Sequence, residues 1–284
     1  MTGIVSVAPA SQKTATRLKI NAVYGGDQRV DMYDVHDQNV LRVADSTVSV
    51  FNIGNLKTDG DGFSINMSPM SRTMHICTDE KFADQPTPAD CSGVLISSKQ
   101  ILTAGHCVSH LNCKTTAFAF GYRMSVAGLT PNHFSAASVY NCENVISRSN
   151  TDSLDYAIVE LDRDVLDHTP VPIAQAPIES GESIYLLSHP AGTPLKYSPP
   201  VPVLTSTPNH FSAEVDALGG SSGGAVFSAD RNELVGILVS GADDYVEDFS
   251  SNCRRINQCD PGRCEGEQST HVGAALELRT HLKK

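Results

Sequence analysis

The chain has 284 residues, 40% hydrophobic and 19% charged, enough apolar content for one large β domain or two small ones. Its formal net charge of −11 repels phosphate backbones and argues against a nucleic-acid partner. Plentiful glycine (21) and proline (15) favour strands and turns over long helices, and no apolar run reaches the roughly 18 residues of a membrane span.

The opening MTGIVSVAPASQ has no basic region, and its apolar run is too short for a secretory leader. Eight cysteines, an even number away from zinc-finger spacings, read instead as disulfides of an oxidising compartment. The two readings are reconciled if a signal peptide was removed and Met1 is a new start, which predicts a secreted or periplasmic protein. Residues 1–42, with the turn signal Gly25-Gly26-Asp27, read as an extended arm wrapped on the domain.

From Val43 the text becomes β, in STVSVFNI, CSGVLI, KQILTA, TTAFAFGY and DYAIVEL. A second series follows in SIYLLS, HFSAEVD, GGAVFS and ELVGILVSG. Residues 241–270 are polar and cysteine-bearing and read as a long disulfide-stapled surface loop. The ending GAALELRTHLKK has helical spacing. The expected class is all-β, as two packed barrels or a sandwich, with a first unit at 43–165 and a second at 166–284.

The chemistry begins at GGSSGGAVF, 219–227. A nucleophilic hydroxyl must project from a tight turn whose backbone N–H groups face the reacting carbonyl, and flanking glycines permit that for Ser222. Taken alone, the stretch reads more readily as a flexible Gly/Ser loop. The base for Ser222 is His106, in ILTAGHC at the end of an apolar strand. The group to orient it is Asp155, heading the apolar run DYAIVEL, with Asp152 as its near competitor. Each motif is moderately specific; the order His, Asp, Ser is highly specific.

TAGHC, DYAIVEL and GSSGG resemble the trypsin-like serine peptidases, where the motifs read TAAHC, D-(I/L)-A-L and GDSGG. CTDEKFADQPTPADCSG, SHPAGTPLK, GGSSGGAVF and VGILVSGADDY look similar to bacterial secreted peptidases related to the staphylococcal glutamyl endopeptidases. The resemblance implies two six-stranded β-barrels of the chymotrypsin type, His106 and Asp155 in the first and Ser222 in the second. It implies a peptide-hydrolysing endopeptidase acting on protein or peptide substrates, with an oxyanion hole made by the N–H groups of Gly220 and Ser222. It also implies that Val239, Ser240 and Gly241 pair with the substrate backbone as an added strand.

Several positions depart from the family. The aspartate that pairs with a newly cut amino terminus in trypsin is Ser221 here, so activity is expected not to depend on such a terminus. Asp216, six residues before Ser222, stands where trypsin has its pocket-floor aspartate and would favour Arg or Lys; its rival reading is a hydrogen-bonded strand-end residue. Leu238 occupies the place of the pocket histidine of the glutamate-specific relatives, which disfavours glutamate. His189, in SHPAGTP, reads as part of a structural loop. The resemblance pairs Cys91 with Cys107, and we expect Cys77–Cys113 and two pairs among Cys142, Cys253, Cys259 and Cys264.

The rival from another class is a catalytically silent binding protein on the same fold, or a latent enzyme, with the arm or residues 241–270 covering the cleft. No nucleotide, metal or organic cofactor is implied, since no phosphate-binding glycine loop is present. Nothing in the sequence specifies an oligomeric state.

Overall fold

A computed structural model describes residues 23–241 and 243–281, with side chains as far as residue 276. Twelve strands carry the architecture. The first six are β1 (Thr47–Asn52), β2 (Cys91–Ser97), β3 (Gln100–Thr103), β4 (Thr116–Phe120), β5 (Val139–Thr151) and β6 (Leu154–Leu161). They close into an antiparallel barrel in the order β5-β6-β3-β2-β1-β4. The second six are β7 (Ser183–Ser188), β8 (Lys196–Ser206), β9 (His210–Ala213), β10 (Ala225–Ser228), β11 (Leu234–Ser240) and β12 (Glu267–His271). Their order is β7-β10-β11-β12-β9-β8, and pairing of β7 with β8 closes this barrel too. The expected fold, two six-stranded barrels with a C-terminal helix, is the observed one.

Alternation along each strand explains the closure. In β6, Ala157, Val159 and Leu161 point into the first barrel's own core, beside Val48, Leu95 and Phe118. The intervening Tyr156 and Ile158 face a second core shared between the barrels. Strand β7 divides likewise, Ile184 and Leu186 inward and Tyr185 and Leu187 to the shared core. Such strands are apolar on both faces because both faces are buried, which is why DYAIVEL and SIYLLS read as continuous apolar runs. The shared core joins the barrels side by side and leaves a cleft between their strand ends.

The described part of the arm adds contacts to the second barrel. Val23–Tyr24 pairs in parallel with Gln258–Cys259, and Val30–Asp31 pairs with Lys196–Tyr197 at the start of β8. Beyond it lies a helix absent from the sequence reading, α1 (Gln38–Ala44). The Asp37 carboxylate accepts from Asn39 N–H at its start, and Val40, Val43 and Ala44 are buried at i, i+3 and i+4. The rest of the arm, residues 1–22, lies outside the described residues. The C-terminal helix is α2 (Val272–His281), and it seats Val272 and Ala275 in the shared core.

Two expectations need correction. The disulfides are Cys77–Cys253, Cys91–Cys107, Cys113–Cys142 and Cys259–Cys264, so Cys77 does not pair with Cys113, and only one bond falls among Cys142, Cys253, Cys259 and Cys264. The segment 241–270 is more than a loop: Tyr245–Asp248 and Cys253–Ile256 form a hairpin, and Glu267–His271 is a barrel strand. The hairpin runs back to residues 74–77, which brings Cys253 to Cys77.

Candidate active site

His106 sits just past the end of β3, in a turn that only glycine permits. A Cβ on Gly105 would lie 1.8 Å from Ser149 O and 2.8 Å from Asp155 Oδ1. The chain can therefore lie flat on the head of β6, where Asp155 stands. Asp155 Oδ1 accepts from the backbone N–H groups of Gly105 (2.5 Å) and His106 (3.2 Å), and Oδ2 is 2.6 Å from His106 Nδ1. Arg148 Nε donates to Gly105 O and Val108 O, and Thr270 Oγ1 donates to Asp155 O, so both sides of the pair are braced.

The Asp155 side chain is 14% exposed and that of His106 is 38% exposed. The carboxylate is thus partly desolvated while the imidazole faces the cleft, and His106 Nε2 carries no hydrogen bond among the described residues. Asp152, the competing carboxylate, is exposed and lines the rim of a 290 Å³ hollow with Asp155, His210, Val239 and Thr270. It makes no contact with His106 among the described hydrogen bonds and ion pairs. A larger hollow of 860 Å³, between Pro177, Asn209 and Ala274, contains none of the residues singled out from the sequence.

Ser222 enters from the second barrel in a turn with left-handed glycines on both sides, Gly220 (φ 91°) and Gly223 (φ 80°). At Gly223 a Cβ would come within 2.1 Å of Ser92 O, so the turn presses directly on the first barrel. Ser92 N–H donates to Ser222 O and Ser92 Oγ donates to Gly220 O, both at 2.8 Å. The N–H groups of Gly220 and Ser222 find no acceptor among the described residues, whereas those of Gly219, Ser221, Gly223 and Gly224 are all engaged. Both unengaged donors, Gly220 N–H and the N–H of Ser222 itself, are available to an anion.

Ser221 is fully buried. Its Oγ accepts from Leu218 N–H and from Ser188 Oγ, so the turn is tied by neutral internal bonds where trypsin uses an ion pair. His189 is also buried, donating from Nδ1 to Thr193 O and stacking on Tyr122. Desolvation pulls its pKa down to about 3, so it stands as a neutral structural ring. The sulfurs of Cys91 and Cys107 come within 4.8 Å of His106, but they are joined to each other and offer no thiolate to a metal.

Asp216 is buried, and its carboxylate is held by the arm. Oδ1 accepts from Tyr24 N–H (2.8 Å) and Oδ2 from Gln28 N–H (2.6 Å). Val239 is buried, while Ser240 and Gly241 are exposed at the end of β11. Two acidic residues not singled out from the sequence lie near: Asp244, whose Oδ2 accepts from Gly219 N–H, and Glu267, whose Oε1 accepts from Tyr24 Oη. Ser92 was missed as well. The only sequence signal for it is its place beside Cys91.

Residues 91–237, just over half of the chain, match the trypsin-like peptidase domain. The chain belongs to that family. Among solved structures, a Glu endopeptidase in complex with MPD is 17% identical with a TM-score of 0.54, covering 92% of this chain and 99% of its own. The VesB protease of Vibrio cholerae is 14% identical with a TM-score of 0.54, over 90% of this chain and 67% of its own. The Rv3671c protease in its inactive form is 14% identical with a TM-score of 0.50, over 87% and 93%. At these identities the likeness carries the fold, and the relation to the Glu endopeptidase is a distant structural one. No curated protein matches. The trypsin-like peptidase is a serine endopeptidase.

Proposed function

We propose that Ser222, His106 and Asp155 form the catalytic triad of an exported endopeptidase that cleaves after arginine or lysine. The observation that carries the reading is the Asp155–His106 pair, braced by two backbone N–H groups, together with a serine turn in which the N–H groups of Gly220 and of Ser222 itself find no acceptor among the described residues. In this reading Ser222 Oγ attacks the scissile carbonyl carbon and its proton passes to His106 Nε2. Asp155 holds Nδ1–H and stabilises the imidazolium. The N–H groups of Gly220 and Ser222 receive the oxyanion, a term of about 3 kcal/mol per donor in related hydrolases. His106 then gives its proton to the leaving amine, and water repeats the sequence on the acyl-enzyme.

Val239, Ser240 and Gly241 supply the edge on which the substrate backbone is proposed to lie. Preference for a basic side chain is supported by the buried carboxylate of Asp216, six residues before Ser222. Four disulfides support an oxidising compartment. The first barrel, 43–165, is proposed as the unit carrying His106 and Asp155, and 166–284 as the unit carrying Ser222.

Cleavage of a peptide library by the purified protein tests the reading. Products ending in Arg or Lys, absent with Ser222→Ala, are expected. Cleavage that survives Ser222→Ala would overturn the triad, and a different terminal residue would overturn the specificity alone.

A further inference from the structure

Gly220 N–H can receive a carbonyl oxygen only if the peptide joining Gly219 to Gly220 keeps one edge toward the cleft. A trans peptide is planar, and its C=O and N–H point in opposite directions. Whatever fixes Gly219 O therefore aims Gly220 N–H. Two glycines in succession, the second of them left-handed (φ 91°), do not hold such a plane by themselves.

Two contacts from outside the turn hold it. Gly219 O accepts from Ala191 N–H at 2.6 Å, and Gly219 N–H donates to Asp244 Oδ2 at 2.7 Å. The first comes from the loop after β7, the second from the segment after β11. Ala191 is buried and left-handed (φ 56°), a conformation disfavoured for a residue with a Cβ, and in it the Ala191 N–H meets Gly219 O. A Cβ on Gly220 would lie 2.7 Å from Gly192 N and 2.8 Å from His189 O, so this loop packs directly on the turn.

Asp244 is itself held in place. Its C=O accepts from Asn257 N–H at 2.8 Å, and the next residue, Tyr245, opens the hairpin opposite Ile256. Tyr245 and Ile256 pack with Leu218 and Ala191 in one apolar cluster, so residues at or beside both hydrogen bonds share a small core. At the hairpin's other end Cys253 is bonded to Cys77. A carboxylate accepting from a backbone N–H makes a charge-assisted bond, stronger than a neutral one.

We propose that Asp244 is a positioning residue for the oxyanion turn: together with Ala191 N–H it holds Gly219 so that Gly220 N–H faces the reacting carbonyl. The proposal rests on the reading of Ser222 as nucleophile and of Gly220 and Ser222 as oxyanion donors. In it Asp244 acts through the Gly219 backbone and touches no reacting atom. Without the carboxylate, Gly219 N–H loses its acceptor and the peptide is free to turn. The oxyanion then loses a donor while the serine and its base stay in place.

The test measures kcat and KM on one peptide that the wild type cleaves, and inhibition by a matched peptide aldehyde and peptide alcohol. In the aldehyde adduct the Ser222 Oγ–C bond forms, the carbonyl π bond becomes an oxyanion and the serine proton moves to His106. The alcohol forms no such bond, so the aldehyde-to-alcohol affinity ratio reads the oxyanion site, and a merely structural loss does not move it. Asp244→Ala is expected to lower kcat and this ratio by about tenfold or more each, with KM within about threefold. Asp244→Asn, which keeps an acceptor for Gly219, is expected to retain most of both. Asp248→Ala removes a partner of Arg255 in the same hairpin and is expected to keep both. An unchanged ratio in Asp244→Ala, or an equal fall in Asp248→Ala, overturns the role of Asp244 and leaves the oxyanion reading standing. A wild type that binds the aldehyde no better than the alcohol overturns the oxyanion reading, and the role of Asp244 with it. Should Asp244→Ala fail to fold, Asp244→Leu, which fills similar space without an acceptor, is read by the same criteria.

Discussion

At Asp155 the decisive property is that one carboxylate does two tasks. Oδ1 ties down the Gly105–His106 backbone and Oδ2 orients the imidazole, so replacing it disturbs both loop and tautomer. Asp155→Asn is expected to lower kcat by about 10⁴-fold, as in related triads, with little change in KM. Steady-state kinetics on the best library peptide checks this, and a loss below tenfold would contradict it. His189 shows the opposite use of an imidazole. Burial holds its folded pKa near 3, below an unfolded value of about 6.5, so between these values the unfolded chain binds the extra proton. Its contribution is complete above pH 6.5 and is lost as pH falls toward 3. The melting temperature should therefore fall less steeply over this window in His189→Asn than in the wild type, by calorimetry at matched pH values.

Among the elements, legibility followed burial. Strands β6, β7 and β11 could be read because both faces are apolar and buried. Strand β5 could not: its pairing shifts register between Cys142 and Asn144 and again between Val145 and Ser147, which breaks the period of two. Strand β8 contains Pro199, Pro200 and Pro202, which argue locally against a strand, and β12 reads EQSTH because its polar groups find partners such as Tyr24, Asp155 and Ser206. Those partners are remote in sequence: Tyr24 and Glu267 are 243 positions apart. The motifs of the proposed triad were legible because each is local. Asp216 and Glu267 depend on how the arm and β12 meet, and no local pattern carries that. Nor does spacing alone reveal Cys77–Cys253, a link over 176 residues. This bond staples the 245–256 hairpin to the segment before β2. Replacing both cysteines with serine should destabilise the protein by about 2–4 kcal/mol, measured by denaturant unfolding.

For the whole molecule, the proposed mechanism requires two barrels to be held in one relation. Ser222 belongs to one and His106 to the other, and the contacts between Ser92 and the Gly220–Ser222 turn cross the boundary. The shared core, from Val40 of α1 through Ile158 and Ile237 to Ala275 of α2, fixes that relation. Because Ser221 is tied by neutral bonds within the second barrel, the oxyanion turn is expected to form without a newly cut amino terminus. Versions of the chain with different starts before Val23 should then have equal kcat, and strict dependence on one start would contradict this.

The most direct test of the triad is active-site titration with a fluorophosphonate, read by intact mass on the wild type, Ser222→Ala and His106→Ala. The account predicts one adduct per wild-type chain, none on Ser222→Ala, and labelling slowed by about 10³-fold or more on His106→Ala. A folded wild-type protein that takes no label, or takes it at a residue other than Ser222, would contradict it.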